Sequence, residues 1–70
     1  MTERHFRLNG GTSDKVWAIS VVGASHTVRF GRAGSYGQAK TKTFSDPAAA
    51  RVAADKLIGQ KTGKGYVEFG

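Results

Sequence analysis

Short stretches that alternate between apolar and polar positions fill the first two thirds of the chain, and one stretch of helical spacing follows them. Arg4-His5-Phe6-Arg7-Leu8 alternates as a half-buried strand does. Asn9-Gly10-Gly11-Thr12-Ser13-Asp14 is rich in turn formers and reads as a loop. Lys15 to Val22 carries the strongest strand signal. Trp17, Ile19 and Val21 fall on one face there, and the segment is rich in β-branched residues. Gly23-Ala24-Ser25 is short enough for a hairpin connection. His26 to Phe30 is the next strand, with Val28 and Phe30 on one face and Thr27 and Arg29 on the other. Gly31 to Gly37 turns the chain. Gln38 to Phe44 then reads as a fourth, less apolar strand, with Lys40 and Lys42 sharing a face. Lysines in such a strand suit a sheet edge, where they discourage edge-to-edge aggregation.

The period changes after Ser45-Asp46-Pro47. Asp46 suits the capping position and Pro47 the first helical turn, where its missing N–H costs nothing. Ala50, Ala53, Ala54, Leu57 and Ile58 follow the spacing of one buried helical face. Gly59 inside this helix costs about 1 kcal/mol relative to Ala. Lys61-Thr62-Gly63 reads as the end, with Gly63 as the left-handed cap, and Gly65 to Phe69 as a last short strand. The order is β-β-β-β-α-β. This predicts one α+β domain over residues 1–70, an antiparallel β-sheet with one α-helix packed across it. The expected core is Phe6, Leu8, Val16, Trp17, Ile19, Val21, Val28, Phe44, Ala50, Ala53, Ala54, Leu57, Ile58, Tyr66, Val67 and Phe69.

Composition narrows the function. Seventy residues carry eleven Lys and Arg against five Asp and Glu, a formal charge of +6. A positive field this dense attracts polyanions, with nucleic acid the first expectation and an anionic membrane surface the second. No apolar run is long enough to span a bilayer, and the first residues lack the apolar stretch of a signal peptide. With no cysteine, thiolate metal sites and disulfides are excluded, and the cytoplasm is the expected compartment. His5 and His26 have no third ligand at metal spacing, and the scattered carboxylates make no evident acid–base pair. Neither a catalytic residue, a metal nor a cofactor is expected, and the chain does not read as an enzyme.

The densest chemistry lies in Arg29-Phe30-Gly31-Arg32-Ala33-Gly34-Ser35-Tyr36-Gly37-Gln38. Glycines let a backbone turn tightly, arginine forks suit phosphate, and aromatic faces stack on sugars or bases. Phe30-Gly31-Arg32, with Gly34 and Gly37-Gln38 behind it, resembles the signature of WGR domains, named for a Trp-Gly-Arg triplet. Upstream, Ser13-Asp14-Lys15-Val16-Trp17 is similar to that family's second strand. Downstream, the resemblance continues through Lys42-Thr43-Phe44, the alanine-rich helix, Lys56-Leu57-Ile58 and Lys61-Thr62-Gly63-Lys64-Gly65-Tyr66. The likeness is to a small, bacterial-type, stand-alone member with Phe30 in place of the signature Trp.

The resemblance implies a DNA-binding module of the kind found in DNA-dependent poly(ADP-ribose) polymerases, where it helps engage a strand break. Carried onto this chain, it implies backbone contacts at phosphates, with strand ends or nicks as the favoured form of DNA. Arg29, Arg32, Lys40, Lys42, Lys61 and Lys64 are the expected phosphate ligands. The Phe30-Gly31-Arg32 loop meets the strand, and Phe30 or Tyr36 packs against the terminal nucleotide. Each assignment has a plainer counterpart. Phe30 alternates with Val28 and also fits the core. Arg32 also fits a structural pairing within the loop, Lys40 and Lys42 a solvated edge, and Tyr36 a loop filler. An RNA partner stays open, because phosphate contacts do not separate the two polymers. The alternative function is a protein–protein docking module that does not touch DNA, its partner taken up along the edge strand. A monomer is expected.

Overall fold

The computed structural model describes residues 3–10, 13–34 and 37–69. The alternating segments form β1 (Arg4–Gly10), β2 (Ser13–Val22), β3 (Ser25–Arg32) and β4 (Gln38–Thr43), followed by α1 (Pro47–Gly63) and β5 (Val67–Phe69). All neighbours pair antiparallel in one sheet, ordered β4-β3-β2-β1-β5. The helix leaves the β4 edge, crosses β2 and β3, and delivers the chain to the opposite edge as β5. The α+β class and the element order are those the periodicity predicts.

Register assigns the faces. Phe6 pairs with Trp17 and Trp17 with Phe30, while Ile19 pairs with Val28 and Val21 with His26. These residues lie on the helix side. Phe6, Trp17, Ile19 and Val21 are buried there against Ala50 and Ala54, with Val28, Phe30, Phe44, Leu57, Ile58 and Tyr66 half-buried around them. The two alanines are fully buried, and their small side chains let the helix sit close over the sheet's apolar side chains. Asp46 caps the helix by accepting a hydrogen bond from the Ala49 amide at 2.8 Å, with Pro47 behind it.

Several expectations need correction. Ser13 and Asp14 belong to β2, because they continue the ladder opposite Gly10 and Asn9. Gly31 and Arg32 are the last residues of β3 rather than a loop, because the longer β2 offers them Val16 and Lys15 as partners. Gly63 stays inside the helix, and the left-handed residue is Gly65, at φ +107°. Gly65 N–H donates to the Thr62 carbonyl and Tyr66 N–H to the Lys61 carbonyl, which together form a Schellman closure. Finally, Val67 and Phe69 are exposed, at 68% and 45%, and take no part in the core. In β5 it is Glu68 that pairs with Phe6 on the helix side, so its two apolar neighbours face away from the helix. No described helix is long and apolar enough to cross a membrane.

Candidate nucleic-acid interface

The end of the β2–β3 ladder and the end of the helix meet at an open cleft of about 520 Å³. Strand alternation and the helix closure build it together. Trp17, Phe30 and Val28 come from the sheet, Leu57 and Tyr66 from the helix and its closure, and Lys15, Arg32 and Lys61 form the polar part of its lining. Lys15 and Arg32 are cross-strand partners, so both project to the helix side. Tyr66 is half-buried and Phe30 likewise, so Phe30 both supports the core and reaches the cleft.

Lys61 is the central cation. Its Nζ lies 5.7 Å from the Trp17 ring centroid and 5.4 Å from that of Tyr66. Such placement over aromatic faces is attractive and holds the ammonium at the cleft. The Schellman closure explains the Tyr66 contact, since it joins the backbone of these same two residues. Partial burial pulls the Lys61 pKa below its ordinary value, and the charges of Lys64 and Lys15 add to the effect. Lys15 and Lys64 thus repel the charge on Lys61, a repulsion that a bound anion relieves.

The structure brings together most, and not all, of the residues expected from sequence. Gly31, Arg32 and Lys61 line the cleft with Phe30. Lys64 is close enough to Lys61 to perturb its titration. Lys40 pairs with Val28 on the helix side, and its Nζ lies 5.8 Å from the Phe30 ring centroid. Lys42 pairs with His26, and its Nζ sits 5.3 Å from the Phe44 centroid. Both lysines therefore border the helix side from an exposed edge strand. Arg29 does not join them. Its partners in the ladder are Ala18 and Ala39, on the sheet face away from the helix, and its Nε lies 3.8 Å from a Glu3 carboxylate oxygen. Tyr36 lies outside the described residues.

Gly37 shapes the entry to β4. Its φ is +69°, and a Cβ there would stand 2.5 Å from the Phe30 carbonyl oxygen. Only glycine fits at that distance, and its fit keeps the start of β4 against Phe30. Sequence reasoning missed two cations. Lys15 sits two residues before Trp17 in the same strand, so alternation already places both on one face. Lys56 falls on a helical row with Gln60 and Lys64, four residues apart, along the flank that continues from the cleft.

The family model for the WGR domain matches residues 3–70. The chain belongs to the WGR domain family. This WGR domain is 43% identical over 65 residues to protein YehF of Escherichia coli K12, covering 93% of this chain and 24% of that protein. It is 36% identical over 66 residues to YfeS of the same organism, an uncharacterized protein, covering 94% of this chain and 27% of YfeS. A crystal structure of a Bacteroides fragilis protein superposes with a TM-score of 0.94 at 43% identity, over 97% of this chain and 19% of that one. The WGR domain thus spans about a quarter of the curated relatives it matches. WGR domains are of nucleic-acid-binding type. In this one the signature aromatic position is Phe30, at the cleft, with Arg32 beside it on the same strand face.

Proposed function

We propose that this WGR domain binds DNA through its phosphate backbone, with a strand end or nick seated at the Phe30 cleft. The observation that carries the reading is the Lys61 ammonium set over Trp17 and Tyr66, in a cleft that Arg32 and Lys15 also line. Cations around an aromatic floor suit a phosphate next to an unstacked sugar or base. Arg32, Lys61, Lys64 and Lys40 hold phosphates, and Phe30 packs against the terminal nucleotide. Base–aromatic stacking contributes about 1–3 kcal/mol, and a phenyl ring belongs toward the low end. This activity needs no catalytic group, metal or cofactor, and a monomer suffices for it.

The test is fluorescence anisotropy with nicked, blunt and single-stranded DNA. Arg32→Ala combined with Lys61→Ala is expected to weaken binding about 30-fold or more, two charged contacts at 1 kcal/mol or more each, while the circular dichroism spectrum stays native. A folded double variant that binds like the wild type overturns the assignment.

A second reading rests on β4, whose residues Gln38–Thr43 are all exposed at the sheet edge. An open edge of this kind accepts an added strand from a protein partner. Salt-insensitive capture of a protein, with no retardation of labelled DNA, is the outcome that favours it.

A further inference from the structure

A second hollow lies further along the same flank of the helix, with a volume of about 410 Å³. Lys42 and Phe44 line it from the β4 side, Lys56, Leu57 and Gln60 from α1, and His26 from β3. No carboxylate takes part in its lining. His26 is only 6% exposed, yet its Nδ1 has no hydrogen-bond partner among the described residues. The ring is held against Phe44, centroids 5.0 Å apart. With Nδ1 sealed in, the ring meets a ligand only through Nε2. Two ammonium groups, an amide and an imidazole edge, with no carboxylate among them, have the chemistry of an anion site.

The two hollows are neighbours, since Leu57 lines both. His26 and Phe30 stand four residues apart on the same face of β3, about 13 Å at strand rise. A strand seated at Phe30 and running along α1 therefore arrives over His26. We propose that this second hollow is a phosphate subsite, which holds a backbone phosphate further along the same single strand of nucleic acid that enters the first cleft. The inference rests on the DNA-binding reading of that cleft.

Thymidine dinucleotide and hexanucleotide single strands, titrated at fixed salt, separate the two claims. The wild type is expected to bind the hexanucleotide about tenfold more tightly than the dinucleotide, because only the longer strand reaches both hollows. Lys56→Ala with Gln60→Ala should weaken the hexanucleotide about five- to tenfold and leave the dinucleotide within about twofold. Arg51→Ala removes one exposed cation of the same helix outside both hollows, and is expected to cost less than about twofold with either strand. The His26 Nε2 resonance should move with the hexanucleotide and stay in place with the dinucleotide. Equal affinity for the two strands, an Arg51→Ala loss equal to that of the paired variant, or an unmoved ring resonance overturns the second subsite and leaves the first cleft standing. If the wild type binds nicked or blunt DNA but neither strand, the subsite falls alone; if it binds no DNA, the first-cleft reading fails and takes the subsite with it.

Discussion

Lys61 shows how one side chain ties packing to charge. Partial burial depresses its pKa, and Lys64 and Lys15 push in the same direction. A base with a lowered folded-state pKa is unfavourable to folding while charged, so the domain gains stability as pH rises from that lowered pKa toward the unfolded value. Binding runs the other way. A phosphate favours the ammonium, so DNA affinity should fall as pH climbs through the same window, below the ordinary lysine range. Titrating affinity from neutral to alkaline pH checks this. Lys61→Arg, whose guanidinium does not deprotonate, should remove that early alkaline loss; an identical profile in the two proteins would show that this titration does not govern binding. At position 30, Phe30→Trp is expected to tighten binding about fivefold, close to 1 kcal/mol, since the open cleft has room for the larger ring. Equal affinities for Trp and Ala at this position would exclude a ring contact with the ligand.

Elements hold these side chains in place through a few backbone requirements. Gly37→Ala puts a methyl group against the Phe30 carbonyl at a positive φ, and is expected to lower stability by about 1–3 kcal/mol in chemical denaturation. Binding should weaken as well, because the start of β4 and the Phe30 backbone shift together. At the other edge, Arg4 and Glu68 form two hydrogen bonds of 2.7 and 2.8 Å that fasten β5 to the sheet. The Arg4 guanidinium holds the Glu68 carboxyl below its usual range, so this stabilisation is present above the unfolded carboxylate pKa and is lost as pH falls through the lowered folded value. Glu68→Gln should therefore speed amide exchange across Val67–Phe69 at neutral pH, and the difference from wild type should vanish in acid. The same elements mark how far the sequence is legible. Alternation and helical spacing give every element: β1, β2, β3 and α1 each bury one face, while β4 and β5 keep the strand pattern although all their residues are exposed. They do not give where a strand stops: Gly31 and Arg32 extend β3 only because distant Val16 and Lys15 are there to pair. Nor does alternation say which face meets the helix, which is why Val67 and Phe69 read as core while register puts Glu68 on that side. Two glycines close together both satisfy a cap, and only the hydrogen bonds to Thr62 and Lys61 single out Gly65.

For the whole molecule, what matters is how eleven cations divide between surfaces. Lys15, Arg32, Lys40, Lys42, Lys56, Lys61 and Lys64 gather around the two hollows and their margins. Arg4 is paired with Glu68, Arg7 lies over Phe69, Arg29 faces Glu3 on the far side of the sheet, and Arg51 is exposed on the helix. The formal charge is thus spread unevenly, and the composition alone does not reveal the asymmetry. At physiological ionic strength fields decay over about 8 Å, so a phosphate at the cleft is attracted by the near group and hardly by the far one. Counterion release turns this into a measurement. Each phosphate contact with a single strand contributes about −0.7 to the slope of log affinity against log salt. Arg32→Ala with Lys61→Ala should flatten that slope by about 1.4, whereas Arg29→Ala should leave it within about 0.3 of the wild type although it removes a full charge. If Arg29→Ala flattens the slope as much as either cleft substitution does alone, the strand lies across the open sheet face, and the helix-side groove is not its path.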